Sequence, residues 1–493
     1  MIKTKLIFLG ILMSGLLALL LLFGFRHKDD SLVIQSWITS WDGKNKLSSQ
    51  KEIHTIREEI KDSIIIHIYP KEKHQPILGF GGTFTDADVY NFMRMNKPER
   101  TNALKALFDP KEGAGWNLMR ISFGSTDWDR DWKFYTYDDM PKGQKDDSQL
   151  SHFSVSEDLK RGHFELLREA LAINPDLKIH AAVWGPPAWM KDNDKLISDG
   201  TILPQYYDRY ALYLVKSIQA YEKEGIKIMA ISPQNEPLCN DGRKTPQALY
   251  MDWKPMRDMV HVINEAFISN NIGTKIWIFD HNFIFAKSWV EPFITDTPAK
   301  GSFDGVAWHD YEGSEESLCE LSAKYPNVPM YHTERALYTS YGLMRILRVI
   351  RCGARSHNHW VTISDQYGAP HQYKGGSEKN DTPLNEKDLS ALYNLRGSSD
   401  KWFKTLGYYT FSQLSSFVKR GAVRIDSDDS GSILANAAFQ NPDGSLILVV
   451  SNCGKKAMSF VVSLNGNQAL MKITPESAAT FVIQNMNKVK VDR

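Results

Sequence analysis

The sequence predicts an α/β fold: a (β/α)8 TIM barrel with a β-sandwich side domain formed by strands from the N- and C-terminal regions. Three observations carry this. Over residues 77–364, eight short apolar runs of strand character alternate with long amphipathic stretches, the pattern of βα units around a parallel sheet. After Arg420 the pattern becomes alternating and punctuated by turns, as in an antiparallel sheet. An open doubly wound sheet would bring a phosphate-cradling glycine loop, and the chain has neither a GxGxxG nor a Walker loop after a strand.

Taken in order, residues 6–25 carry no charge and are flanked by Lys3, Lys5, Arg26 and Lys28. As a helix this run would span roughly 30 Å, enough to cross a bilayer. Its charged start is that of a secretory signal peptide, but Phe23-Gly24-Phe25-Arg26 is a poor small-x-small cleavage site. The expectation is export, with residues 1–28 either cleaved or kept as an anchor and the product secreted, periplasmic or membrane-anchored. Residues 29–76 hold two strand-like runs, 33–39 and 64–69, the second stopped at Pro70; both are expected to join the C-terminal sheet. The barrel is expected over 77–417, with strands at 78–82, 118–122, 178–183, 227–231, 275–279, 305–309, 329–332 and 360–363. Helical stretches at 156–173, 205–224, 246–269 and 336–351 lie between them, the polar segment 381–400 reads as a loop of the last βα connection, and 402–417 reads as helical. Residues 418–493 form the rest of the sandwich, with strands at 433–439, 445–450, 458–464 and 478–483 and a turn at Asn441-Pro442-Asp443-Gly444.

The composition excludes several functions. A chain of 493 residues can bury a barrel core and a smaller second one. A net charge of +1 offers no general attraction to nucleic acid. The four cysteines, Cys239, Cys319, Cys352 and Cys453, show no CxxC pair and no zinc spacing, and whether any of them pair is left open. No cofactor and no metal is expected.

In a parallel barrel the site lies at the C-terminal ends of the strands. The residues at and just past those ends are Thr83, Thr85 and Asp86; Ser125, Asp127 and Trp128; Trp184 and Trp189; Asn235 and Glu236; Asp280, His281 and Asn282; His309, Asp310 and Tyr311; Glu334; and Ser364, Asp365 and Gln366. Carboxylates, amides and indole rings are what a carbohydrate site needs: acceptors and donors for hydroxyls, flat apolar faces for sugar C–H groups, and two carboxyls for the reaction. Glu236 in Ser232-Pro233-Gln234-Asn235-Glu236-Pro237 is held at a strand end by a proline stop, and Glu334 in Tyr331-His332-Thr333-Glu334 is its partner across the barrel. A separation of about 5 Å would make the mechanism retaining. Arg120, Asn235 and Tyr311 are candidates to support the ionised member. Asp86 is read either as a site residue or as the N-cap of the next helix, and Asp127 either as a site carboxylate or as part of the charged loop 127–131. His309 either faces substrate or orients a carboxylate, Asp280 and His281 are read as structural, and a metal set of His309, Asp310 and Asp280 is the weakest alternative.

These segments resemble family 30 of the glycoside hydrolases, the group that includes glucosylceramidase. The resemblance is carried by Gly79-Phe80-Gly81-Gly82-Thr83-Phe84-Thr85-Asp86-Ala87, Arg120-Ile121-Ser122 with Ser125-Thr126-Asp127, Tyr135-Thr136-Tyr137-Asp138, Trp184-Gly185-Pro186-Pro187-Ala188-Trp189-Met190-Lys191, Gln234-Asn235-Glu236-Pro237 and His332-Thr333-Glu334. It covers roughly residues 60–493 and implies the barrel with a side sandwich built from both chain ends. It further implies a retaining mechanism with Glu236 as acid/base and Glu334 as nucleophile. By motif match Asp127 would hold sugar hydroxyls, Trp184 would line the pocket, Asn235 would sit by the 2-hydroxyl, and Arg120 would support the charge network.

The chain departs from that pattern at three places. Similar enzymes have a second Trp near the end of strand eight; with that strand at 360–363, the tip reads Ser364-Asp365-Gln366 and one wall of the pocket is expected to differ. Asp310 stands where an aromatic residue would be expected, and the loop 372–385 is charged. The implied substrate is a β-linked glucoside, glucan or glycolipid. The leading expectation is glucosylceramidase-like hydrolysis; the alternatives are an endo-β-1,6-glucanase, a xylanase-like endo-hydrolase, and a barrel that binds glycans without turnover.

Overall fold

The computed structural model describes residues 32–61, 64–141, 144, 146–197, 199–238, 249–336, 339–370, 383 and 390–485. The apolar run 6–25, Cys239 and all of the charged loop 372–385 except residue 383 lie outside the described residues.

Eight parallel strands succeed one another around the barrel: Gly79–Phe84, Leu118–Ser122, Lys178–Ala182, Ile228–Ser232, Lys275–Asn282, Gly305–His309, Met330–Glu334 and Ser356–Asn358. The eighth pairs with the first over Ser356↔Gly79 to Asn358↔Gly81. Its other edge meets the seventh through the bridges Met330↔Ala354 and Arg335↔His359, which closes the barrel. The glycines of Gly79-Phe80-Gly81-Gly82 are demanded by close approach. A Cβ at Gly81 would lie 1.7 Å from the Leu118 carbonyl oxygen, and one at Gly82 would lie 2.5 Å from Thr362 Oγ1.

Strands one to seven fall within a few residues of their expected positions, and strand eight does not. Residues 360–363 lie beyond it and lead into a small sheet of Ile363–Asp365, Leu392–Asn394 and Trp402–Lys404. The true eighth strand reads Ser-His-Asn and has no apolar side chain, although all three residues are buried. Polar pairing and ring packing bury it instead: His357 Nδ1 lies 2.9 Å from His332 Nδ1, and the ring packs edge-on to Phe411. The helix expected over 402–417 is a strand and then the helix Leu406–Ser415, whose N-cap Thr405 accepts from the Tyr408 amide.

The barrel's outer helices arise from their apolar spacing. Tyr207–Lys223 buries Tyr207, Tyr210, Ala211, Leu214, Val215, Ile218 and Tyr221, a stripe recurring every three or four residues. The stretch 156–173 is two helices, Ser156–Arg161 and His163–Ile173, because Gly162 at φ +93° takes the left-handed conformation that ends the first. A disulfide joins Cys319, in helix Glu316–Lys324, to Cys352 at the end of helix Ser340–Arg351. None of the described helices is long and apolar enough to cross a membrane.

The sandwich is built from both ends of the chain. Leu32–Ser40 pairs antiparallel along its whole length with Ser477–Asn485. Ile65–Pro76 pairs with Val423–Ser427 and runs parallel to Met458–Leu464. This strand continues past Pro70 because its pairing with Val423–Ser427 is irregular there, so no amide is needed at the proline. Val423–Ser427 and Asn467–Ile473 are strands beyond those expected. Ile34, Ile66, Ile425, Leu448, Val450, Phe460 and Phe481 fill its interior, each contributing about 1.5–3 kcal/mol by leaving water.

Candidate active site

The tips of strands four, five and seven converge on one guanidinium. Arg120, on strand two, is wholly buried. It donates from Nη1 to Glu334 Oε2 at 2.5 Å and from Nη2 to Asn235 Oδ1 and Asp280 Oδ2, both at 2.7 Å. Asp280 reaches that position because strand five bulges: Phe279 and Asp280 take positive φ, +79° and +54°, and the register with strand six slips beside them. The other Asp280 oxygen accepts from Thr333 Oγ1 at 2.6 Å and lies 3.2 Å from His309 Nε2. The opposite ring nitrogen, His309 Nδ1, lies 3.0 Å from Glu236 Oε1.

Glu236 is held by its backbone. The Asn235 amide donates to the Val183 carbonyl at 2.7 Å, the Glu236 amide to the Asp280 carbonyl at 3.0 Å, and the Tyr210 hydroxyl to the Pro233 carbonyl at 2.5 Å. Glu236 itself sits at φ +46°, a conformation that costs a non-glycine residue about 1–3 kcal/mol and persists only where its surroundings impose it. Glu334 ends strand seven and also accepts from the Tyr311 hydroxyl at 2.9 Å. One oxygen of Glu236, one of Glu334 and a His309 nitrogen all lie within 4.8 Å of one another. The Glu236 side chain is 27% exposed and that of Glu334 8%, so Glu236 is the one that faces the mouth.

Three carboxylates meet one arginine and one histidine here, so protonating the histidine offsets one of the two excess negative charges. Burial pulls the His309 ring down, but the charges of Glu334 and Asp280 and its two hydrogen bonds push it up to about 10. Burial raises the Glu236 carboxyl, and the His309 hydrogen bond with the charges of His281, His309 and Arg120 more than reverses this, holding it at about 2. Burial raises the Glu334 carboxyl despite His309 and Arg120. The resting site therefore keeps a proton on the line between His309 Nδ1 and Glu236 Oε1, beside a Glu334 carboxylate that takes donors from Arg120 and Tyr311.

An aromatic wall stands over Arg120. Trp184 and Trp360 stack with ring centroids 5.3 Å apart, and the Arg120 guanidinium carbon lies 4.8 Å from one ring and 5.9 Å from the other. Trp128 packs partly buried against the same group. The expectation of a missing second tryptophan is thus corrected. With strand eight at Ser356–Asn358, Trp360 is the residue just past its tip, and its amide bonds to the Arg335 carbonyl. Asp127 lies on the loop before Trp128, and a buried ion network fixes that loop. Asp86 accepts from Arg130 at 2.7 Å and Arg161 at 2.9 Å and lies 3.1 Å from His163, while Arg161 also donates to Asp129 at 3.0 Å.

Of the remaining candidates, Asp86 is not an N-cap: Thr85 caps that helix in a capping box with Asp88. Arg120 and His309, expected among substrate-binding residues, are wholly buried and hydrogen-bond to Glu334 and Glu236 respectively. The set His309, Asp310 and Asp280 is not gathered, since Asp310 is paired with Arg345 at 2.6 Å. Asp365 is tied to Arg396 at 2.7 Å in the small sheet. Asp280 and Trp360 are the site residues whose part sequence reasoning missed. Asp280 was visible as a strand-end acid, and Trp360 would have been found had the polar Ser-His-Asn been accepted as a strand.

Comparison with known proteins agrees with this geometry. Residues 77–344 match the glycosyl hydrolase family 30 TIM-barrel domain, and residues 421–481 the glycosyl hydrolase family 30 beta sandwich domain. An endo-1,6-beta-D-glucanase of Neurospora crassa is 31% identical over 447 residues, 85% of this chain and 88% of its own. The lysosomal acid glucosylceramidase of Mus musculus is 24% identical over 419 residues, 81% of this chain and 79% of its own. A solved structure of an endo-beta1,6-glucanase, 28% identical, matches with a TM-score of 0.77 over 92% of this chain and 99% of that one.

Proposed function

The chain belongs to glycosyl hydrolase family 30 and is a glycoside hydrolase, and on that premise we propose that it hydrolyses β-glucosidic bonds with retention of configuration. The observation that carries this is the placement of Glu236 and Glu334, with oxygens within 4.8 Å of each other. That spacing suits a nucleophile and an acid/base on opposite sides of one anomeric carbon and leaves no room for the intervening water of an inverting enzyme.

In this reading Glu334 attacks the anomeric carbon while Glu236 delivers the proton shared with His309 to the departing oxygen. Water then attacks the glycosyl ester, Glu236 takes its proton, and Glu334 leaves as a carboxylate held by Arg120 and Tyr311. Asn235 has its carbonyl oxygen engaged by Arg120, so its amide nitrogen is the end turned to the sugar 2-hydroxyl. Trp184 and Trp360 cover the ring face and Asp127 holds hydroxyls.

A β-1,6-linked glucan is our first substrate reading, because the relative at 31% identity and the solved structure at 28% are both named for that activity. Glucosylceramide, the leading expectation from sequence, is the second reading, favoured by the mouse relative. We also propose export. The Cys319–Cys352 disulfide supports it, since such bonds persist in oxidising compartments.

Purified protein is tested with an aryl β-glucoside, β-1,6-glucan and glucosylceramide. Turnover with retained configuration is expected, lost in Glu334→Gln and restored with inverted product when Glu334→Gly is given azide. Undiminished turnover by Glu334→Gln, or binding of all three without turnover, would sink the reading.

A further inference from the structure

A second guanidinium stands one residue beyond Glu334. Arg335 continues the tip of strand seven: its amide donates to the Asn358 carbonyl, and its carbonyl accepts from the Trp360 amide, both at 3.3 Å. Its side chain is half-buried, with the guanidinium carbon 4.8 Å from the centroid of the Tyr311 ring. Among the described residues no carboxylate lies within ion-pair distance of it, and its Nε is buried without a hydrogen-bond partner.

Stability alone does not call for a cation there. A methionine or leucine would cover the tyrosine ring as well and would leave no buried donor unmatched. What the charge touches is a phenol with a task. The Tyr311 hydroxyl donates to Glu334 Oε1 at 2.9 Å, and the residue is 37% exposed. Its amide, on Asn282 Oδ1 at 2.9 Å, the Arg335 stack and the edge-on His309 ring, with centroids 6.2 Å apart, restrain it. Burial and the charges of Glu334 and Glu236 raise the phenol well above its ordinary range, which makes it a poorer donor, and Arg335 is the cation that opposes them.

We propose that Arg335 is a positioning residue for the nucleophile: stacked on Tyr311, it keeps the phenol hydroxyl on Glu334 and strengthens that hydrogen bond. Arg335 acts here through Tyr311 and not on the sugar, and the proposal rests on Glu334 being the nucleophile.

The test is a double-mutant cycle on an aryl β-glucoside. Tyr311→Phe and Arg335→Met are each expected to lower kcat by about 10-fold, the worth of one charge-assisted hydrogen bond, with KM within about twofold. In the double variant the second change is expected to add less than about threefold, because both remove the same contact. Losing a donor to the carboxylate raises its pKa, so both single variants move the acidic limb of the kcat profile to higher pH. Arg335→Lys keeps the charge and is expected to recover part of the loss, which separates a functional effect from misfolding. Additive losses, an effect of Arg335→Met confined to KM, or an unmoved acidic limb would each overturn the proposal. Failure of the parent reading is seen separately, in Glu334→Gln retaining turnover.

Discussion

Two buried ion networks lie at the top of this barrel, built from the same kinds of side chain, and they differ in charge balance. The outer one, beneath the Asp127–Trp128 loop, sets Arg130 and Arg161 against Asp86 and Asp129. Each oxygen of Asp86 meets at least two donors. Burial works against the Asp86 carboxyl, but His163 and Arg130 hold it well below the usual carboxylate range. The inner network sets Arg120 against Asp280, Glu334 and Glu236 and stays one negative charge in excess even with His309 protonated. A network that only holds a loop has its central carboxylate saturated with donors. One that moves a proton carries a carboxylate in excess, part-exposed and on a strained backbone, as Glu236 is.

That contrast predicts opposite phenotypes. Glu334→Gln in the inner network is expected to cut kcat/KM by about 10⁴-fold, the scale of removing a nucleophile or its partner. It should leave the melting temperature unchanged or raised, because it relieves excess negative charge. Asp86→Asn in the outer network is expected to cost about 3–5 kcal/mol in denaturant unfolding, as it strands Arg130 and Arg161, while kcat on an aryl β-glucoside stays within about tenfold. Normal stability with abolished kcat in Asp86→Asn would erase the distinction. A smaller effect tests the wall between the networks: Trp360→Ala is expected to raise KM about tenfold, the scale of one lost aromatic contact, with kcat less affected.

The sequence made the inner network legible and the outer one almost not at all. Glu236 and Glu334 were readable because a strand that runs straight into Asn-Glu-Pro, or ends in Thr-Glu, places an acid at a barrel tip whatever surrounds it. Asp86, Arg130 and Arg161 lie 31–75 residues apart and meet only once helices Asp86–Met93 and Ser156–Arg161 have docked. Strand eight was misread for a related reason. Apolar periodicity measures what leaves water cheaply, whereas Ser356, His357 and Asn358 are buried by partners from strands one and seven and by Phe411, which no local window contains. The sandwich was readable because its interior is aliphatic and its strands alternate; among the described residues it lost Val423–Ser427, three of whose five residues are charged or polar, Asn467–Ile473, and the two-residue strands Ser48–Ser49 and Ile53–His54.

The misread strand also belongs to a third kind of buried polar group, histidines whose charge burial opposes, and this sharpens the comparison through pH. His180, His332, His357 and His359 are fully buried in and around the barrel. Burial lowers all four, His180 and His359 to about 3. Unfolded, each binds a proton near pH 6.5. Below that pH the unfolded chain binds more protons, so stability falls by at most about 1.4 kcal/mol per pH unit for each histidine. Asp88 and Asp129, pushed up to about 7 by burial, and Asp138, pushed up to about 6, act in the opposite sense over the same interval, as do Asp139, Asp310 and Glu334, which burial also raises. His309 behaves differently again: raised to about 10 by its carboxylates, it contributes stability that is complete below pH 6.5 and is lost as pH rises through 10. The histidines' contribution to the urea midpoint is therefore expected to be fullest near neutrality and to fall between pH 7 and 5, read as the difference between the parent and a variant lacking one of them. His357→Gln should start lower and lose less over that interval. A His357→Gln variant that loses as much as the parent between pH 7 and 5 would mean that the burial of His357 is not the constraint the geometry makes it.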